Sequence, residues 1–132
     1  MKGKIILFIC IGNSGRSQMA EAFFNHLSKT GKAISAGTAP DKKIHPQTIR
    51  VMEELGIDVS KQKPKLLTKK LIKRADRIII MDSELSKNIP PEYSTKLAEW
   101  RIEKLLGKPI EQIKKIRDQI KKKVKQLIRE IE

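Results

Sequence analysis

The sequence predicts an α/β fold, with a parallel sheet between two layers of helices. Three observations carry this. Two short, continuous apolar runs, Ile5-Ile6-Leu7-Phe8-Ile9 and Arg77-Ile78-Ile79-Ile80-Met81, have the pattern of strands buried on both faces. Other stretches repeat apolar residues at three- and four-residue steps, as along one face of a helix. Strand and helix signals alternate along the chain, which favours parallel pairing through helical crossovers.

The elements follow in order. After the first strand the pattern turns helical from Ser17, with Met19, Ala20, Phe23, Phe24 and Leu27 on one stripe and Gly31 as the stop. Ala33-Ile34-Ser35-Ala36, ended by Gly37, is a second strand. A loop with Pro40 and Pro46 leads to a helix through Ile49, Val51, Met52 and Leu55, closed by Gly56 in the position after the cap. Ile57 to Pro64 is extended, and Thr68 caps a short helix through Leu71 and Ile72. The run at Arg77 to Met81 is the third strand, more apolar than the second and therefore central. Asn88 to Pro91 is a loop, and Lys96 to Trp100 supplies a shorter fourth strand. Gly107 and Pro109 punctuate before a final helix whose apolar face runs from Ile110 to Ile131.

Residues 1–132 read as one domain. No apolar stretch approaches the roughly 18 residues of a membrane span, and Met1-Lys2-Gly3-Lys4 opens no export signal. A single cysteine excludes an internal disulfide. These features read as a soluble, cytoplasmic protein without membrane partners. The net charge of +14 fits either a polyanion binder or a solvated surface rich in Lys, Glu and Ile. The second is favoured and nucleic acid is not an expected partner, because Tyr93 and Trp100 do not interleave with a basic run. Positive charge would still steer an anionic substrate to its site.

The chemistry concentrates at Cys10-Ile11-Gly12-Asn13-Ser14-Gly15-Arg16-Ser17, between a strand and a helix. Ligands of parallel sheets bind beyond the carboxyl ends of the strands, and Cys10 and Asp82 both follow strands into that crevice. Five residues between Cys10 and Arg16 can curl into a cradle of N–H groups contributed by Ile11, Gly12, Asn13, Ser14, Gly15 and Arg16. Gly12 and Gly15 are expected to supply positive φ angles, and Asn13 to lock the loop through its amide. The helix start adds its dipole, and Arg16 can grip two oxygens through its fork. The same field favours a Cys10 thiolate, which Ser17 can support by a hydrogen bond.

These residues, with Gln18-Met19-Ala20-Glu21-Ala22 after them, resemble the low-molecular-weight protein tyrosine phosphatases and the related thioredoxin-coupled arsenate reductases. Ser35-Ala36-Gly37-Thr38, Gly56-Ile57-Asp58-Val59-Ser60, Ala75-Asp76 and the Trp100 to Gly107 segment extend the resemblance over essentially the whole chain. It implies a three-layer fold with a four-stranded parallel sheet flanked by helices. It also implies an enzyme in which Cys10 is the nucleophile, Arg16 the oxyanion clamp and Ser17 the support of the thiolate.

Three departures bear on mechanism. The reductase branch uses two further cysteines after the third strand, where this chain has Ile80-Met81-Asp82-Ser83-Glu84 and no thiol; Met81-Asp82 is similar to the phosphatase branch. Both branches place a general-acid aspartate before proline ahead of the last helix, where this chain has Lys104-Leu105. Glu103 is the first substitute carboxylate, able to donate a proton and then activate water, or else an exposed loop residue. Asp82 is the second, or else a cap of the segment after it. Finally, potassium ligands of some reductases match Asn13, Glu21 and Ser35, but their aspartate aligns with Lys65. Its ammonium could replace the cation, or it is a surface lysine; no potassium dependence is expected.

No metal site or cofactor is expected, and His26 and His45 read as structural or solvent residues. The sequence thus ranks three functions. First is a cysteine-dependent phosphomonoesterase acting on a phosphate ester, such as a phosphoprotein, through a cysteinyl-phosphate. Second is an arsenate reductase using Cys10 and an external thiol reductant. Third is a catalytically weak oxyanion-binding domain.

Overall fold

A computed structural model describes residues 3–132, so Met1 and Lys2 of the N-terminal reading lie outside it. The elements are β1 (Ile5–Cys10), α1 (Arg16–Leu27), β2 (Lys32–Gly37), α2 (Pro46–Glu53), α3 (Lys69–Arg74), β3 (Arg77–Ile80), β4 (Leu97–Glu99) and α4 (Ile110–Ile131). Two 3₁₀ helices, Ser83–Asn88 and Pro91–Lys96, join β3 to β4. The four strands are parallel in the order β2-β1-β3-β4. The α/β fold with helices flanking a parallel sheet is therefore present, and β3 is central as its apolar run requires. No helix among the described residues is long and apolar enough to cross a membrane.

Burial on both faces of β1 explains the unbroken apolar run. Ile6, Phe8 and Cys10 join a core with Met19 and Phe23 of α1 and Ile120 and Val124 of α4. Leu7 and Ile9 face the other way, against Ile78 and Ile80 of β3, Ile72 of α3 and Leu85. In α4, Ile113, Ile116, Ile120, Val124 and Leu127 are buried at the predicted spacing. Burying each such side chain stabilises the fold by about 1.5–3 kcal/mol.

Two boundaries depart from expectation. Helix α1 stops at Leu27, four residues before Gly31, because Ser28 turns extended (φ −73°, ψ 139°). Its hydroxyl accepts the Gly31 N–H at 2.9 Å and donates to Glu132 at 2.6 Å. Helix α2 starts earlier than its apolar pattern, with Pro46 in its first turn and the His45 ring accepting the Gln47 N–H at 3.1 Å. The 3₁₀ turns carry no apolar period and leave no helical signature in the sequence.

Candidate active site

The loop after β1 curls because segments distant in sequence take its carbonyls. Ile11, Gly12 and Ser14 accept from the N–H groups of Ala39, Asp41 and His45 at 3.0, 2.9 and 3.0 Å. Thr48 adds its hydroxyl to the Ser14 carbonyl at 3.2 Å. Among the described residues, no N–H from Ile11 to Arg16 donates to another backbone carbonyl. Carbonyls outward and N–H groups free is the polarity an anion requires. The left-handed residue of the cradle is Asn13 (φ 49°), and neither Gly12 nor Gly15 has a positive φ. The glycines serve close approach instead. A Cβ on Gly15 would stand 2.6 Å from a methyl of Leu105, and one on Gly12 would stand 2.4 Å from the Asp41 carboxylate.

Asn13 locks this conformation, as its residue type suggested. Its side-chain oxygen accepts from the Lys65 N–H at 2.8 Å and from Gln18 at 3.1 Å. Its amide donates to Ser17 Oγ at 2.8 Å. The single Ser17 proton is thereby free for the Cys10 sulfur, 2.8 Å away. Cys10 is 3 % exposed, at the base of the cradle.

Arg16 is held by residues at the ends of β3 and the segment before α4. Nη1 donates to the carbonyls of Met81 and Ile102, both at 2.8 Å, and to Asp82 Oδ1 at 3.1 Å. Nη2 donates to Asp82 Oδ2 at 2.7 Å. The carboxylate thus meets the guanidinium end-on, and Nε–H with the second Nη2 hydrogen remains as a two-donor edge for substrate oxygens. Asp82 makes no side-chain cap to the 3₁₀ helix that follows it. Of its two sequence readings neither describes this contact; it fixes the orientation of the Arg16 guanidinium.

A cavity of about 320 Å³ opens above Cys10, lined by residues 10–16 together with Ala39, Asp41, His45, Lys104, Leu105 and Leu106. Lys104 thus stands in the cavity wall where the expected aspartate would be. Glu103 does not join it. Ile102 and Leu105 are buried and anchor the segment, which leaves residue 103 facing a separate cavity with Glu99 and Arg101. There its carboxylate meets Lys108 at 3.3 Å and Gln112 at 3.4 Å. The proposed substitution of Glu103 for the missing acid is corrected on this geometry.

Asp41 and His45 were missed as site residues. The signal available was topological: the loop after β2 returns along the carboxyl ends of the strands, where ligands of such sheets bind. Lys65 extends its ammonium to 3.6 Å from Glu21 Oε1, the oxygen that also accepts from Ser35 at 2.8 Å. Among the described residues no cluster of three metal-ligating side chains occurs.

The model of the low molecular weight phosphotyrosine protein phosphatase family matches residues 5–132. The chain belongs to this family. Within it, arsenate reductase 2 of Staphylococcus epidermidis is 33% identical over 124 residues, covering 92% of this chain and 93% of the relative. The glutaredoxin arsenate reductase of Synechocystis is 33% identical over 130 residues, covering 97% and 98%. The solved structure of an arsenate reductase in its phosphate-binding state superimposes with a TM-score of 0.86 at 33% identity, covering 98% and 99%. The family identifies a cysteine-dependent oxyanion enzyme. The relatives' names lean toward arsenate reduction, whereas the sequence ranked phosphate-ester hydrolysis first.

Proposed function

We propose that this family member reduces arsenate through a Cys10–arsenic adduct that an external thiol resolves. The observation that carries the reading is a complete oxyanion cradle around the only cysteine of the chain, with relatives about one-third identical that are named arsenate reductases. The Cys10 thiolate attacks arsenic, an S–As bond forms and one oxygen leaves as water. The cradle N–H groups and Arg16 hold the remaining oxygens. An external thiolate then attacks the Cys10 sulfur, and the S–As electron pair stays on arsenic, which departs as arsenite. A second external thiolate frees Cys10, so two thiols become one disulfide as As(V) becomes As(III). The stretch after β3 offers no thiol for this step, and its Asp82 is engaged with Arg16. The glutaredoxin coupling in one relative's name is consistent with a borrowed thiol.

Phosphomonoester hydrolysis is the second reading, favoured by the absent internal thiol and by the family's phosphatase description. Water would then resolve a cysteinyl-phosphate. The deciding experiment assays arsenate-dependent oxidation of glutathione, with and without a glutaredoxin, beside hydrolysis of an aryl phosphate. Arsenate turnover lost in Cys10→Ser supports the reductase. Aryl phosphate turnover alone selects the phosphatase, and tight phosphate binding without either turnover leaves an oxyanion-binding domain.

A further inference from the structure

The cavity over Cys10 contains a single carboxylate among its described lining residues, and it comes from the loop after β2. Asp41 is fixed at both ends: its N–H donates to the Gly12 carbonyl at 2.9 Å, and its Oδ2 accepts from the Ser14 hydroxyl at 2.6 Å. Oδ2 also packs so close to Gly12 that a Cβ on residue 12 would have to displace it. Among the described residues Oδ1 has no hydrogen-bond partner, and the residue is solvent-exposed, so this oxygen can exchange a proton with water.

The other candidates for acid–base work are otherwise committed. Both oxygens of Asp82 accept from Arg16. Glu103 faces the neighbouring cavity. His45 Nδ1 is engaged by the Gln47 N–H at 3.1 Å as the cap of α2. Lys104 supplies positive charge to the cavity wall.

We propose that Asp41 is the proton donor to the oxygen that leaves opposite the Cys10 sulfur. The proposal rests on the reading of this cavity as an oxyanion-transfer site. As the S–As or S–P bond forms and the bond to the leaving oxygen breaks, the electron pair goes to that oxygen. Asp41 gives it a proton, so it departs as water from arsenate or as a phenol from an aryl phosphate. When water resolves a cysteinyl-phosphate, the Asp41 carboxylate takes the proton back and the Cys10 thiolate leaves.

The test compares wild type, Asp41→Asn and Gly12→Ala on phenyl phosphates graded from nitro-activated to alkyl-substituted, and on arsenate with glutathione and glutaredoxin. Asparagine retains an oxygen for Ser14 but not the acid. Removing a general acid is worth about 10²–10⁴-fold. Asp41→Asn should therefore lower turnover about 100-fold on the most basic leaving group and less than about 3-fold on a dinitrophenolate. Gly12→Ala, which displaces the carboxylate, should show the same slope against leaving-group basicity. On arsenate, Asp41→Asn should lower turnover about 100-fold. Equal losses across the series, as a loop-ordering role for Asp41 predicts, or unchanged arsenate turnover would overturn the proposal. Wild type inactive on both substrates would instead bring down the functional reading, and this assignment with it.

Discussion

The two walls of the Cys10 cavity are built on different principles. On one wall, residues 10–18, the side chains that set the geometry lie close in sequence: Asn13 holds Ser17, Ser17 reaches Cys10, and Gln18 holds Asn13. The opposite wall, residues 102–106, hangs on two buried anchors, Ile102 and Leu105, and exposes Glu103, Lys104 and Leu106 between and beside them. A network of short sequence separation fixes each side chain by its spacing. A segment pinned by burial has its outward residues assigned by whichever neighbours they meet.

Variants that separate the walls should differ widely in effect. Cys10→Ser should abolish turnover on arsenate and aryl phosphate alike, by about 10⁴-fold or more, since the chain has no second thiol. Asp82→Ala should follow, lowering kcat/KM about 10²-fold by freeing Arg16 from its end-on partner. Asp82→Asn, which keeps one acceptor, should lose less. Unchanged kinetics in Asp82→Ala would mean that the cradle orients its clamp without help from β3.

Behind the first wall, Arg117 ties α4 to α2 through the Val51 carbonyl at 2.8 Å and Glu54 at 3.0 Å. Helix α2 in turn carries Thr48 to the cradle. Arg117→Leu should cost about 1–3 kcal/mol in chemical denaturation, mainly by leaving a buried carbonyl unpaired. Hydrogen bonds from Arg117 and then Lys114 hold the Glu54 carboxyl below its ordinary value of 4.5. A depressed folded-state value stabilises above the unfolded value and is lost as pH falls through the folded one. The stability gap between wild type and Arg117→Leu should therefore narrow on acidification below about pH 4.5. A gap independent of pH would assign the whole effect to the carbonyl.

The smallest effects are expected where charges face outward. Adding potassium should change turnover by less than about twofold, because the Lys65 ammonium already neutralises Glu21; activation in wild type would show that the lysine leaves room for the ion. Glu103→Gln should also stay within about twofold, since exposed pairs such as Glu103–Lys108 contribute about 0–1 kcal/mol. A loss of 100-fold there would return Glu103 to the reaction and make the second wall the catalytic one.

Much of the molecule was legible without coordinates. The unbroken apolar runs of β1 and β3 dictate strands buried on both faces, and the period of α4 dictates which face lies on the sheet. The spacing from Cys10 to Ser17 was enough to suggest an oxyanion cradle, whereas the donors that curl it, Ala39, Asp41 and His45, come from the segment after β2. Partners brought together by folding were not legible. Asp82 reaches Arg16 across 66 positions, Asp41 reaches Ser14 across 27, and Lys65 meets Asn13 across 52. No periodicity encodes such pairs, since sheet order and loop return decide which strand ends become neighbours. The sequence by itself determined that one cysteine follows the first strand and how its loop is spaced to Arg16 and Ser17. Only the tertiary structure decided which carboxylate lines the Cys10 cavity, which one holds Arg16 and which one turns away, because sheet order and loop return set those neighbours.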